Sequence, residues 1–242
     1  MARLARLCIP GQPHHVLMRG VGGQAVFADD ADRESFLAHL AQAAQDHRVA
    51  VHAWALMPDH VHLLVTPTDA PGFSAAMQAV GRSHTQAFNR RHARRGTLWE
   101  GRYRSAVLQS DRWLLPAMAW LDTHPSRSGH GAEPGAPHPW VSAAHYLGAA
   151  THRVLTVPTA YWALGNTPFA REAAYRTLLE QGCTQTECAA LRQAALSGWV
   201  LGDAAFVAAL QTGSERRLAA AKRGRPRKLP GDALVVAAKN PS

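Results

Sequence analysis

The stretch from Val49 to Thr66 constrains the fold more than any other part of the chain. In its first half, Val49, Val51, Ala53 and Ala55 alternate with a second set of side chains that includes His52 and Trp54. This two-residue period is that of a β-strand. A proline-aspartate turn at 58–59 follows, and after it Val61, Leu63 and Val65 recur at every second position. Two strands joined by so short a turn form an antiparallel hairpin, so the chain builds a sheet with an apolar face to cover.

The segments around this hairpin complete a mixed pattern of strands and helices. Alternation predicts further strands at 13–19 and within 97–108, and apolar residues three and four apart predict helices at about 30–47, 73–91 and 111–123. The order is therefore strand, helix, strand, strand, helix, strand, helix. Its first six elements match the βαββαβ order of a ferredoxin-like α+β domain with an antiparallel sheet.

A glycine- and proline-rich stretch at 129–139 is the predicted domain boundary. Beyond it, Thr184 and Glu187 have the spacing of a capping box, and Gly198 separates two short helices. These helices suggest a helix-turn-helix-like module, and a helical hairpin that only packs explains them equally well. The predicted parts are an α+β domain at 1–128, a linker and peripheral segment at 129–158, a helical module at 159–213 and a basic, disordered tail at 214–242.

The charge of the chain indicates a polyanionic partner. Lysine and arginine number 26 against 17 aspartate and glutamate, a formal net charge of +9. Such a surplus is typical of nucleic-acid binding first and of binding to an acidic membrane surface second. No stretch reaches the roughly 18 apolar residues of a membrane span, and three cysteines are too few for a disulfide framework. We therefore expect a cytoplasmic, nucleoid-associated protein.

Arginines are concentrated between residues 82 and 104, where Glu100 is the only acid. Arginine binds phosphate groups, and aromatic side chains among the arginines can stack on the unpaired bases of single-stranded DNA. A second basic segment, 222–228, resembles an AT-hook, whose Gly-Arg-Pro core fits an A·T minor groove. A solvated charged face and a nonspecific basic tail are the alternatives. The predicted DNA contacts are Arg82, Arg90, Arg91, Arg94, Arg95, Trp99, Arg102, Arg104, Arg223, Arg225 and Arg227.

His60 and His62 are candidate metal ligands. Residues two apart on a strand point to the same side, which places the two imidazoles next to each other. Two such histidines can bind one metal ion. The alternative is a pair of exposed strand histidines in a chain that contains 14 of them.

Three separated motifs resemble those of the REP-associated tyrosine transposases, which are single-tyrosine HUH transposases of the IS200-like family. The first is the opening segment PGQPHHVLMRG, and the second is the strand LMPDHVHLLV, which carries both histidines. The third comprises NRRH at 89–92 and GTLWEGRYRS at 96–105. The resemblance extends roughly over residues 9–150, and the long helical extension is similar to that of longer members.

The resemblance implies a ferredoxin-like fold in which His60 and His62, on a central strand, hold a divalent metal ion, Mg²⁺ or Mn²⁺. In the family this ion polarises a scissile phosphate of single-stranded DNA, typically a short hairpin with a flanking tetranucleotide. A tyrosine of the last helix attacks the phosphate and forms a 5′-phosphotyrosine link, which conserves the bond energy for strand transfer. Single-stranded or hairpin DNA is thus the implied partner. The oligomeric state is left open between a monomer and a dimer.

The chain departs from the family at the nucleophile. Where the family has Tyr-Ile-x-x-Asn-Pro, this sequence has Trp-Leu-Asp-Thr-His-Pro at 120–125. Indole has no ionisable hydroxyl, so Trp120 cannot form a phosphoester. His124 takes the place of an Asn that can act as the third metal ligand, and a third imidazole favours Mn²⁺ or Zn²⁺ over Mg²⁺. The alternative for His124 is a histidine stabilised by the dipole at a helix C-terminus.

These residues leave two hypotheses about function. The implied catalytic set is His60, His62 and Trp120 at the nucleophile position, and the implied metal set is His60, His62 and His124. One hypothesis is a transposase that cleaves and rejoins single-stranded DNA, and the other is a catalytically inactive protein that binds or regulates hairpins. A third, a metal hydrolase with an H-x-H pair, lacks the later series of histidines and aspartates that such an enzyme needs.

Overall fold

The structure is a computed structural model that describes residues 6–129, 138–214 and 216–219. None of the helices in these ranges combines the length and the apolar character that crossing a membrane requires. The elements of the first part are β1 His14–Arg19, a 3-10 turn Val21–Gly23, α1 Asp30–Asp46, β2 Val49–Leu56, β3 His60–Pro67, α2 Ala70–Arg91, β4 Arg104–Val107 and α3 Ser110–Asp122. The helices that follow are α4 His124–Arg127, α5 Ala143–Tyr146, α6 Thr159–Trp162, α7 Pro168–Gln181, α8 Gln185–Ser197 and α9 Ala204–Gln211.

The four strands form one antiparallel sheet in the order β2-β3-β1-β4. Each strand–helix–strand connection passes over one intervening strand, which is the ferredoxin-like βαββαβ arrangement. β3 and β1 lie in the centre, where Leu17 pairs with His62. The predicted α+β class and the antiparallel sheet are therefore confirmed.

Each face of the sheet is covered by its own set of helices. Val61, Leu63 and Val65 are fully buried against α1 and α2, as their alternation predicts. The opposite face, which includes Leu64, packs against α3 and the later helices. Because both faces are covered, a polar side chain on the second face must find a partner there to offset its loss of water.

The start of α2 differs from the sequence expectation. The side chain of Asp69 accepts the backbone N–H of Gly72 at 2.6 Å and so caps the helix, which begins at Ala70 rather than at residue 73. Pro71 is tolerated in the first turn because an N–H at that position has no partner within the helix. Pro116 lies inside α3, which continues past it.

Helix α8 lies against the edge of the sheet. It begins with the capping box of Thr184 and Glu187 and ends at Gly198, whose φ of 71° is left-handed. It packs against β4 and β1, where the guanidinium of Arg104 donates to the carbonyl oxygen of Leu196 at 3.1 Å. This contact brings a late helix onto the sheet. The division of the chain into four parts and the helix-turn-helix-like module stay predictions.

A buried carboxylate ties α3 to the later part of the chain. Asp122 accepts hydrogen bonds from the hydroxyls of Ser142 and Tyr175, both at 2.7 Å. Burial raises the pKa of Asp122 to about 7, although the two hydrogen bonds oppose that rise. The folded protein therefore holds a charged group in its interior above neutral pH.

We expect Asp122→Asn to remove a pH-dependent loss of stability. The folded state keeps the Asp122 proton up to a pH of about 7, and the unfolded chain releases it near 3.8, so stability falls as pH rises between these values. Relative to the parent, the variant's free energy of unfolding should rise by roughly 3 kcal/mol between pH 5 and pH 8, at about 1.36 kcal/mol per pKa unit. Urea unfolding of both proteins measures this, and a difference independent of pH would contradict the raised pKa.

Candidate metal centre

Three histidines meet at one end of β3. His60 and His62 lie on the strand, and His124 opens α4 directly after α3. One ring nitrogen of each lies within 4.8 Å of the corresponding atoms of the other two. The Nε2 atoms of His60 and His124 are 2.9 Å apart, and the ring centroids of His62 and His124 are 4.8 Å apart. The predicted ligand pair and the predicted third residue thus converge on one point.

The chemistry of this three-histidine cluster fits a divalent metal ion. Burial lowers the pKa of His62 well below its ordinary value, and the neighbouring imidazoles add to the effect. Burial, helped by His60, also lowers the pKa of His124 to about 3. Neutral imidazole offers the lone pair that a metal needs. Three imidazoles are a ligand set suited to Zn²⁺ and Mn²⁺ more than to Mg²⁺, which prefers oxygen.

Two further side chains orient the ligands. The carboxylate of Asp59 lies 2.7 Å from Nδ1 of His60. On the neighbouring strand β1, the buried His15 shares a 2.9 Å hydrogen bond between its Nε2 and Nδ1 of His62. Because Nδ1 is occupied in both ligands, Nε2 is the atom left to bind an ion.

We expect His15→Phe to weaken metal binding while the domain stays folded. Phenylalanine fills a similar volume but cannot hold Nδ1 of His62, so the ligand ring is free to turn. Loss of an outer hydrogen bond of this kind typically costs about 10–100-fold in metal affinity. Calorimetric titration with Zn²⁺ or Mn²⁺ measures the change, and His14→Phe, at the adjacent buried histidine, is the control. Equal affinities for parent and His15→Phe would show that His15 does not position His62.

Trp120 forms the inner wall of the cluster. Its ring centroid lies 5.1 Å from those of His62 and His124, and its side chain is only 3% exposed. The guanidinium of Arg127 lies 5.0 Å from the indole centroid and donates to the carbonyl oxygen of Trp120 at 2.5 Å. An aromatic ring without a hydroxyl is therefore fixed against the predicted ligands.

The tyrosines of the chain lie elsewhere, each with another role. The hydroxyls of Tyr146, Tyr161 and Tyr175 donate to buried acceptors at 2.5, 2.8 and 2.7 Å, respectively. Tyr103 packs on the α1–α2 side of the sheet, with its ring centroid 5.5 Å from that of Phe73. The described residues include every tyrosine of the chain, and none of the four borders the three-histidine cluster.

Helix α8 encloses the cluster from outside. The cavity beside the three histidines measures about 250 Å³ and is bordered by Arg192 and Leu196 of α8 and by Arg19 at the end of β1. Both arginines are exposed. They bring positive charge to the mouth of the site, where a phosphate group can be bound.

The predicted DNA-contacting residues differ in how free they are. Five of them are exposed residues, and the guanidinium of one, Arg104, also donates to the carbonyl oxygen of Leu196. The five are Arg82, Arg90, Arg95, Arg102 and Arg104. Three of the others, Arg223, Arg225 and Arg227, lie outside the described residues.

Arg91, Arg94 and Trp99 have contacts within the fold. Arg91 forms ion pairs with Asp29 and Asp32, which hold the end of α2 against the start of α1. Arg94 donates to the side chain of Gln24 and to a backbone carbonyl of its own loop. Trp99 is 9% exposed and donates its indole N–H to a carbonyl oxygen of α2. These contacts indicate that Arg91 and Arg94 stabilise the fold. Trp99 is mostly buried, and a ligand can contact it from the cavity that it borders.

Residues 12–113 match the protein family described as "Transposase IS200 like". The matched segment runs from the start of β1 into α3 and contains both His60 and His62. Residues 12–113 belong to the IS200-like transposase family. The predicted family is thereby confirmed. The match ends before Trp120 and His124, the two positions at which the sequence motif predicts a departure from the family.

One solved structure shares the fold of this chain, and two others are similar to about half of it. The structure of the REP-associated tyrosine transposase bound to a REP hairpin is similar with a TM-score of 0.51 at 14% identity, over 65% of this chain and 92% of that chain. A candidate transposase from Deinococcus radiodurans R1 has 21% identity and a TM-score of 0.35, over 54% and 99%. A bacterial tRNA(His) guanylyltransferase-like protein in complex with GTP has 15% identity and a TM-score of 0.37, over 50% and 66%. No curated protein sequence matches the chain.

The candidate metal centre includes residues that the sequence patterns do not predict. His15 lies on a different strand from His62, and Arg192 lies on a helix beyond the predicted domain boundary. Their proximity to the cluster depends on strand pairing and helix packing, which no local pattern encodes. Asp59 alone had a sequence signal, because a carboxylate next to a candidate ligand histidine is a common orienting partner.

Proposed function

We propose that this protein binds single-stranded or hairpin DNA at a metal-dependent site and does not form a phosphotyrosine link. One observation carries the proposal: a three-histidine cluster lies against a buried Trp120, the residue that the sequence motif predicts at the nucleophile position. The family match and the arginine surplus support DNA as the ligand, since phosphate neutralisation dominates the affinity of proteins for nucleic acid.

The residues around the cluster suit the binding of a DNA phosphate. A bound divalent ion would supply a Lewis-acid contact to a phosphate oxygen. His60, His62 and His124 would hold that ion, and the nearby guanidinium groups of Arg19 and Arg192 would neutralise the adjacent backbone. These functions need no hydroxyl nucleophile, so DNA binding is preserved where the family's cleavage chemistry is not.

A second candidate function is DNA cleavage by a substitute hydroxyl. The Oγ atom of Ser128 lies 3.4 Å from Nε2 of His124, at the end of α4. A serine hydroxyl can attack phosphorus when a base or a metal activates it. This alternative keeps the metal dependence and replaces the tyrosine.

We expect the protein to bind a labelled hairpin oligonucleotide in the presence of Mn²⁺ and to leave it uncut. Gel shift measures binding, and a denaturing gel of the same samples reports nicking and covalent adducts. The affinity should fall steeply with salt because several phosphates are neutralised. A protein–DNA adduct that survives denaturation would contradict the proposal. Peptide mapping of that adduct, with Ser128→Ala as the matched variant, would then identify the nucleophile.

A further inference from the structure

Three cavities follow one another around the edge strand β4. The first is the cavity at the three-histidine cluster, which Leu196 borders. Leu196 also borders a second cavity of about 300 Å³, whose walls include Arg104 and Arg216. Arg102 and Tyr103 are shared between this second cavity and a third one of about 660 Å³. The shared residues place the three cavities side by side, and we call this row, from the metal side of the sheet to the α1–α2 side, the track.

Arginines line the whole of this track. Among the described residues that border the three cavities, the only carboxylate belongs to Asp59, and it faces Nδ1 of His60. The charge of the track is therefore strongly positive, which suits a strand of phosphodiesters. The arginines are Arg19 and Arg192 at the first cavity, Arg104 and Arg216 at the second, and Arg6, Arg82 and Arg102 at the third.

The third cavity has the chemistry of a base-binding pocket. The residues that border it include Trp99 and Tyr103, together with Met18 and Met77, and all four are mostly buried. Aromatic and thioether surfaces stack on the flat face of a base. The side chains of two glutamines on α2 also border the cavity and can bond to the polar edge of a base.

The aromatic walls of this cavity are already fixed. The indole N–H of Trp99 donates to the carbonyl oxygen of Gly81 at 3.1 Å. The guanidinium of Arg6 lies 3.9 Å from the ring centroid of Tyr103 and occupies one face of that ring, which leaves Trp99 as the aromatic surface for a base. A ligand that enters therefore does not need to order these side chains, which lowers the cost of binding.

We infer that the single strand flanking a bound hairpin follows this track and places one unpaired base in the third cavity, beside Trp99. The inference rests on the proposed function and adds the path of the DNA and a base-binding site. The ligand of the cavity is single-stranded, because a base inside a duplex is stacked and paired and must leave the helix to enter a pocket.

The test is an abasic scan of a hairpin oligonucleotide with a single-stranded extension of about eight nucleotides, within the range of known single-strand sites. Each extension position in turn carries an abasic sugar, and gel shift measures the affinity. A Cβ atom on Gly81 would lie 3.5 Å from Met18 Cε and 3.7 Å from Trp99 Nε1, so alanine fits there and leucine must extend into the cavity. Gly81→Leu is therefore the blocking variant and Gly81→Ala its matched control.

We expect an abasic sugar at one extension position to weaken binding at least fivefold for the parent and for Gly81→Ala, and less than twofold for Gly81→Leu. An abasic scan without any sensitive position would overturn the inference, and so would the same penalty in all three proteins. Hairpin binding that is indifferent to the extension leaves the proposed function standing and overturns the inference alone. Failure to bind any hairpin would overturn both.

A second arm tests the track without altering the cavity. Arg104→Gln should weaken binding of the extended hairpin at least threefold more than it weakens binding of the same hairpin without its extension. Arg153→Gln, which removes an exposed arginine on a different surface, is the matched control. Equal effects of Arg104→Gln on the two hairpins would overturn the proposed path.

Discussion

Trp120→Tyr is expected to form a covalent adduct with hairpin DNA that the parent protein does not form. The indole already lies 5.1 Å from the centroids of two predicted metal ligands, so a tyrosine at this position reaches the same place. Tyrosine is smaller than tryptophan, and the adjoining cavity of about 250 Å³ leaves room for its hydroxyl and a phosphate. The variant would thus regain the nucleophile that the family uses.

The matched control for this variant is Trp120→Phe, which has the same ring as tyrosine without the hydroxyl. We expect at least roughly 100-fold more adduct with Trp120→Tyr than with Trp120→Phe. This factor is small beside the ~10⁶-fold loss of kcat that follows removal of the nucleophile from an efficient enzyme. A denaturing gel with labelled hairpin and Mn²⁺ measures the yield. Equal yields for the two variants would show that a hydroxyl at position 120 is not enough for adduct formation at this site.

The second large effect concerns the third imidazole. His124→Ala is expected to lower the affinity for Zn²⁺ by about 100-fold or more, since structural zinc sites gain about 10–16 kcal/mol from four ligands together. His124→Asn, which introduces the residue that the resembling family has, should lower Zn²⁺ affinity but spare Mg²⁺, because a carbonyl oxygen suits the harder ion. His39→Ala, at a half-buried histidine of α1, is the control.

Metal binding should also be visible as stabilisation. An ion present at about 100 times its dissociation constant adds roughly 2.7 kcal/mol to the free energy of unfolding. For a protein of this length that corresponds to a rise in Tm of about 5–10 °C. The rise should occur in the parent and in His39→Ala and should vanish in His124→Ala. Zn²⁺ binding that is unchanged in His124→Ala would reject the three-histidine site.

Much of the fold follows from local sequence patterns. The alternation around the turn at 58–59 predicts β2 and β3, because side chains of a strand alternate between its faces whatever the rest of the chain does. The same rule places His60 and His62 on one side. The capping box of Thr184 and Glu187 likewise predicts the start of α8, because its two hydrogen bonds join residues three apart.

Helix boundaries and the roles of individual arginines depend on contacts that the patterns do not contain. The apolar pattern alone places the start of α2 too late, since its true start depends on the cap at Asp69. Arg91 and Arg102 look alike in a basic run. Only the folded chain brings Asp29 and Asp32 to the first of them and leaves the second exposed.

The sequence by itself determined the family, the ferredoxin-like sheet and the pair of strand histidines, because each rests on residues close together in the chain. It also predicted Trp120 at the nucleophile position of the resembling family, where an indole cannot form a phosphoester. The tertiary structure decided which residues surround His60 and His62. His15, His124 and Arg192 reach them through strand pairing and helix packing, and the tyrosine hydroxyls are engaged elsewhere. Contacts of this kind depend on the free energy of packing the whole chain, which no local pattern records.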